Sequence, residues 1–208
     1  MSIAINPAIQ QKPLSFEEFL ARYGSDNHYE LIDGEVFDLD PQDCTKKLQP
    51  SSQRRSVSRS TMQVYLGSSF SGDCCAPITA GMTAFRPDIA AIDRSELPKE
   101  PLWSEQSILT LDTSIKFVAE VVRSNWQNDY ARKLEDYAAL GILEYWIADY
   151  AGLGGTRHIG KPKQPTLSVC KLVDGDYEIQ QFRGNQAVVS SIFSGLKLSA
   201  EQVLRAGR

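Results

Sequence analysis

Ile115-Lys116-Phe117-Val118-Ala119-Glu120-Val121-Val122 is the stretch on which the fold turns. Its β-branched and aromatic residues suit a strand. Alternation puts Ile115, Phe117, Ala119 and Val121 on one face and Lys116, Val118, Glu120 and Val122 on the other. Both faces are apolar toward the end of the run, which marks an interior strand covered on both sides. Glu120 sits in that company. A lone carboxylate in an apolar interior is costly unless it keeps its proton or finds a cation. The cation can be a metal ion, a lysine or an arginine.

Outward from this strand, residues 128–140 have helical spacing and end at Gly141, and 143–148 form another strand. Upstream, 76–92 reads as one or two strands bent near Gly81. A loop with Pro98 and Pro101 follows. Ser15-Phe16-Glu17-Glu18 is a capping box that opens a short helix over 16–23, with Gly24 as its stop. Asp33-Gly34 between strand-like runs predicts a hairpin over 28–37, because both turn positions need positive φ. Val57, Thr61, Val64 and Tyr65 predict a helix within 52–70. A meander follows the glycine-rich turn at Gly152, Gly154 and Gly155: 166–173, a turn at Asp174-Gly175, then 177–183. A short strand around Val188 and a helix capped by Ser199 close the chain. The expected fold is α/β (α+β), a central mixed sheet flanked by helices with extra β-hairpins. Residues 1–14 are expected to be a flexible arm and 15–208 a single domain.

Composition bounds the function. Of 208 residues, 42% are hydrophobic and 23% charged, which excludes wholesale disorder. A net charge of -4, from 22 basic and 26 acidic residues, excludes a generally cationic nucleic-acid binder but not a local basic patch. No apolar run approaches the roughly 18 residues of a membrane span. Met1 to Pro7 shows no basic start and no apolar signal core. A cytoplasmic protein without membrane contact is the expectation. Cys44, Cys74, Cys75 and Cys170 show no C-x-x-C spacing and read as reduced thiols. Only His28 and His158 are present, which argues against zinc chemistry and a Ser-His-Asp triad. Carboxylates and lysines are left as the candidates.

Asp88 opens the apolar run Ile89-Ala90-Ala91-Ile92 directly after Pro87. Alone it can be a turn or capping residue. Two carboxylates in apolar strand company are harder to explain twice. Lys133 supplies a third piece. With about 100° per residue and Leu134 at zero, Tyr130, Ala131, Tyr137 and Ala138 form the buried stripe, and Lys133 falls on its border. Asp129 lies beside it at i-4 and Tyr137 at i+4. Arg132 and Asp136 point to solvent. Lys133 is either a snorkelling border lysine paired with Asp129 or a cation leaning over the sheet. Two carboxylates, a backbone carbonyl and water make a reasonable Mg2+ or Mn2+ site. The one basic run, with Lys46, Lys47, Arg54, Arg55 and Arg59 and no acid between residues 44 and 60, is either a solvated face or a phosphate-contacting surface.

Pro87-Asp88 followed by Glu120-Val121-Val122 resembles the PD-(D/E)XK nuclease pattern. The chain as a whole resembles the Uma2-like (DUF820) branch of that superfamily, abundant in cyanobacteria, over roughly residues 15–204. Tyr29 to Val36, Arg86 to Ile89, Val118 to Val122, Asp129 to Tyr137, Gly141 to Asp149 and Gly160 to Thr166 carry the likeness. The resemblance implies a restriction-endonuclease-like core in which Asp88 and Glu120 bind the metal, the Val121 carbonyl adds a ligand, and Glu30 is an outer ligand. The superfamily lysine normally stands two residues after the glutamate, where this chain has Val122. The branch moves it to the next helix, which makes it Lys133, supported by Tyr137. Two departures stand out. Arg123 replaces a common serine, and no histidine stands near Arg54 or Arg55. Arg123 can repel an ion or grip a phosphate.

The expectation is a Mg2+- or Mn2+-dependent endodeoxyribonuclease acting on DNA, with a homodimer as the natural way to cut two strands. A degenerate nucleic-acid-binding module on the same fold is the main alternative. A protein-interaction or regulatory domain, or a hydrolase of other phosphates, is the third.

Overall fold

The computed structural model describes residues 12–24, 26, 28–39, 62–66, 76–78 and 81–206, with 62–66 and 76–78 as backbone only. Among the described residues, ten strands fall into two sheets. β1 (Tyr29–Ile32), β2 (Glu35–Asp38), β4 (Ala76–Ile78) and β5 (Thr83–Phe85) form an antiparallel sheet in the order β2-β1-β5-β4. The larger sheet contains β3 (Met62–Leu66), β6 (Ile89–Asp93), β7 (Ile115–Val121), β8 (Glu144–Asp149), β9 (Thr166–Val173) and β10 (Asp176–Phe182). Its order is β10-β9-β8-β7-β6-β3. Only β7 and β8 run parallel within it, so the sheet is mixed. Parallel neighbours need a crossover. Here it runs through a five-residue π-turn, Asn128–Arg132, and helix α3, Lys133–Ala139.

α1 (Phe16–Tyr23) starts where both arms of its capping box close. The Glu18 amide donates to Ser15 Oγ at 3.2 Å, and the Ser15 amide donates to Glu18 Oε2 at 2.9 Å. The β1–β2 turn is built by Asp33 at φ 53° and Gly34 at φ 81°. Gly34 has a second reason to be glycine, since a Cβ there would lie 2.4 Å from Pro13 Cβ. The chain before α1 is tied to this turn by the Leu14 amide donating to Gly34 O at 2.9 Å. Short helices α2 (Trp103–Gln106) and α4 (Thr156–Ile159) and the terminal α5 (Ala200–Ala206) complete the elements.

The large sheet is covered on both faces. Val118, Val122, Tyr145 and Ile147 face α3 and its Tyr137. Phe117, Ala119, Trp146 and Ala148 face α5 through Ala200 and Leu204. This is the double covering that the apolar strand run predicts.

Several expectations are corrected. Residues 62–66 are a strand paired antiparallel with β6, not the end of a helix. Met62-Gln63-Val64-Tyr65-Leu66 fits either state by local pattern, and pairing to a buried strand decides it. Residues 44–60, with the basic run and the start of that helix, lie outside the described residues, as do Cys44, Cys74 and Cys75. The 76–92 region contains three strands, with Gly81 at the β4–β5 turn. Ile115 joins the face opposite Phe117, because the β6–β7 register slips between Ala91 and Ile92 and leaves Lys116 unopposed. Ala131 is exposed, since the π-turn advances the helix phase before α3 begins. The strand around Val188 is reduced to one bridge, Ala187 with Ser199.

Candidate functional site

The register of β6 and β7 brings the two predicted acids together. Ile89 pairs with Ala119, so Asp88, one step before β6, stands opposite Glu120. Directly opposite side chains in an antiparallel pair share a face. The Asp88 amide lies 3.4 Å from Glu120 Oε2, and the Val121 amide donates to Asp88 Oδ2 at 2.8 Å. Glu120 is 4% exposed, while the Asp88 side chain is 30% exposed and opens toward the surface.

α3 delivers the amine. Lys133 is 4% exposed, and its Nζ lies 3.1 Å from Glu120 Oε1 and 3.1 Å from Glu30 Oε1. Asp129 Oδ1 stands further off at 3.8 Å. The ammonium also sits over the Phe85 ring, 5.4 Å from its centroid. Tyr137, one turn further, donates its hydroxyl to Glu120 Oε1 at 2.9 Å. It therefore supports Lys133 through the oxygen they share. Val122 is fully buried in the core beneath α3, so the helix supplies the cation in its place.

Glu30 comes from the other sheet. Its Oε1 accepts from the Arg86 amide at 2.8 Å as well as from Lys133. Arg86 Nε in turn donates to Tyr29 O at 2.8 Å, which fixes the crossing between the sheets. The turn carrying Asp33 is tied to the helix by Arg132, whose guanidinium lies 2.5 Å from Asp33 Oδ1. Arg132 also reaches Asp136 at 2.9 Å. Arg132 thus clamps the hairpin to the helix and Asp136 pairs with Arg132, so neither is an idle solvent-facing group.

Charge is nearly balanced here. Glu30, Asp88, Glu120 and Asp129 line the pocket with Lys133, Arg86 and Arg123, a formal excess of one negative charge. Burial pushes the Glu120 carboxyl well up, with Lys133 working against that rise. Burial likewise raises Asp129 to about 7. Burial alone would lower Lys133, but Glu120, Glu30 and Asp129 outweigh it and hold the ammonium charged. Burial also raises Tyr137, which keeps its hydroxyl a donor.

The pocket above these groups is lined by Arg86, Asp88, Glu120, Val121, Asp129 and Lys133, with Arg123, Ser124, Asn125 and Asn128 at its rim. Ser124, Asn125 and Asn128 are not among the residues expected from sequence. Their only signal is position, as polar residues directly after a strand that carries a buried acid. Arg123 Nη2 lies 3.4 Å from Asp88 Oδ1, an approach between two partly exposed side chains.

The donor set suits a hard divalent cation. It offers carboxylate oxygens, and the excess of acids over cations among the lining residues favours one. Among the described residues no three His, Cys, Asp or Glu side chains converge as a ready-made ion cage. Asp88 and Glu120 form a pair. A pair is what Mg2+ sites often use, with water and substrate phosphate supplying the rest.

Comparison with known proteins decides the family. Residues 16–201 match the family described as "Uma2: Putative restriction endonuclease". The chain belongs to the Uma2 family. A solved structure, a "putative nuclease belonging to DUF820" from Anabaena variabilis, superposes with a TM-score of 0.61 at 15% identity. That alignment covers 94% of this chain and 100% of the other. At that identity the likeness shows a shared fold, the restriction-endonuclease-like core. A comparison with curated proteins finds no match. No helix among the described residues is long and apolar enough to cross a membrane.

Proposed function

We propose that this Uma2 protein is a divalent-metal-dependent endonuclease that hydrolyses DNA phosphodiester bonds in the pocket above Asp88, Glu120 and Lys133. One observation carries the reading: two acids opposed across β6 and β7 share a pocket with a buried ammonium 3.1 Å from one of them. Asp88, Glu120 and the Val121 carbonyl would hold Mg2+ or Mn2+. Such an ion offsets charge on a phosphoryl oxygen and makes a nearby water more acidic.

The residues of the chain divide the remaining work. Hydrolysis adds the oxygen of water to phosphorus and breaks a P–O ester bond, and the leaving oxygen takes up a proton. Lys133, held charged, orients the attacking water and offsets the charge that grows at phosphorus. Glu30 and Tyr137 fix where Lys133 and Glu120 stand. Asp129 borders the ammonium and tunes its field. Lys46, Lys47, Arg54, Arg55 and Arg59 remain proposed backbone contacts.

A second reading has its own observation. Arg123 contacts Asp88 and competes with a metal ion for that oxygen, which favours a module that binds nucleic acid without cutting it. A plasmid-nicking assay with Mg2+ or Mn2+ separates the two, with Glu120→Gln as control. Ion-dependent nicking that the variant abolishes supports the nuclease. Binding with no cleavage by the parent protein under either ion supports the second reading.

A further inference from the structure

In a chain of net charge -4, residues 150–173 carry Arg157, Lys161, Lys163 and Lys171 and no aspartate or glutamate. Lys171 stands across the β9–β10 ladder from Glu178, which offsets it. Arg157 on α4 and Lys161 and Lys163 between α4 and β9 are exposed, and none forms an ion pair with a described residue. The acid just before the segment does not offset them. Asp149 is fully buried, and its two oxygens accept from the Leu153 and Gly154 amides at 2.8 Å each.

This segment is docked on the rim of the carboxylate pocket. Trp126 belongs to the rim loop, between Asn125 and Asn128. Lys163 Nζ lies over its ring, 6.0 Å from the centroid, and the His158 ring lies 6.1 Å away. A Cβ at Gly155 would stand 3.0 Å from the indole, so glycine lets the segment seat closely. His158 stacks on Tyr130 at 4.9 Å, and Tyr130 follows Asp129 in the π-turn. The Lys163 ammonium also donates to Leu153 O at 3.1 Å, which ties the loop to itself. Lys163, and Arg157 through its Nε donating to His158 Nε2 at 2.8 Å, are thus anchored at the loop that carries the pocket rim, with Lys161 between them in sequence and Arg123 lining the pocket itself.

We infer that this acid-free segment is a phosphate-backbone track. Arg123, Arg157, Lys161 and Lys163 grip successive phosphates of a nucleic acid and lay it across the pocket. Spaced cations beside serine and asparagine hydroxyl and amide groups match how proteins contact the sugar-phosphate backbone. The inference rests on the nuclease reading of the pocket and locates the surface that presents the substrate to it.

The test is fluorescence anisotropy of a labelled DNA duplex with the full chain in EDTA, over a series of salt concentrations. Arg157→Glu/Lys161→Glu/Lys163→Glu is expected to weaken binding about tenfold or more. The salt slope should fall by about 2 to 3, near 0.9 for each phosphate no longer neutralised. Arg157→Lys/Lys161→Arg/Lys163→Arg keeps the charge and retains affinity. Lys197→Glu, an exposed lysine before α5 on the other face of the sheet, is the control and leaves binding unchanged. Thermal unfolding checks that each variant folds. Parent-like affinity and slope in the triple glutamate variant overturn the track, as does an equal loss in Lys197→Glu or a parent that does not bind at low salt. Cleavage tells the two readings apart. A track that binds in a parent that never nicks keeps this inference and sinks the nuclease. A parent that nicks and a triple variant that binds and nicks equally well do the reverse.

Discussion

Asp88 and Glu120 stand directly opposite each other on neighbouring antiparallel strands, and the amide of Val121 holds the Asp88 carboxylate at 2.8 Å. Neither local periodicity nor composition creates that pair. It exists because β6 and β7 keep one register past Ile89 and Ala119. The first prediction tests the pair. Asp88→Asn and Glu120→Gln each keep shape and remove charge. Each is expected to lower ion-dependent nicking by about 100-fold or more, the usual cost of losing a preorganised electrostatic group. Parent-like rates in both variants would sink the proposed role.

Among the described residues, Lys133 is the one ammonium buried among Glu30, Glu120 and Asp129. Lys133→Met keeps the aliphatic bulk and leaves those carboxylates without their cation. Breaking a buried pair this way costs about 3 to 5 kcal/mol. For a chain of this length that is about 10 °C in Tm. The deficit has a pH sign. Without the lysine, the folded carboxyls hold protons more tightly than the unfolded ones, so the variant is most stable in acid and loses stability as pH rises. Thermal scans at pH 5 and pH 8 should show the larger gap from the parent at pH 8. An equal gap at both would mean that packing, not charge, sets the cost.

Arg123 and Asp88 are 46% and 30% exposed, so their 3.4 Å approach contributes little to stability. Its consequence is competition. Arg123→Ser removes a cation from the oxygen an ion would use and is expected to tighten Mn2+ binding several-fold in isothermal titration calorimetry. Tm in EDTA should move by no more than a few degrees. Unchanged Mn2+ affinity would show that Arg123 does not guard Asp88.

The legible parts of this fold are those written in local chemistry. Ser15 and Glu18 announce a helix start, and Asp33-Gly34 announces a turn, because each works within four residues. Glu120 is legible as a problem, an acid among apolar strand residues, and Lys133 as a border residue of its helix. What escapes depends on distant partners. Residues 62–66 become a strand through β6, and Ile115 changes face through a bulge invisible in its own sequence. The π-turn carries Asp129 inward while its backbone carbonyl accepts from Tyr145 Oη at 3.1 Å. The basic segment around Lys161 escapes for another reason. Its cations are sparse, and its signal is the lack of acids across 150–173, not a dense run.

Asp129 carries the last prediction. It is buried beside Lys133, and burial raises its carboxyl to about 7. Its unfolded counterpart ionises near the ordinary aspartate value of about 4. A group raised in the folded state binds its proton more tightly there, so its contribution to stability is fully present below about pH 4. That contribution declines as pH rises and is gone above about pH 7. In EDTA the parent protein should therefore lose stability between those values by urea unfolding. Asp129→Asn cannot ionise, and its stability curve should be flatter across that window. Mn2+ titrated into the parent should recover stability most at the upper end, where the acids of the pocket have shed their protons and attract a cation most strongly. A parent and variant with the same pH slope would show that Asp129 is ionised throughout, with Lys133 outweighing its burial.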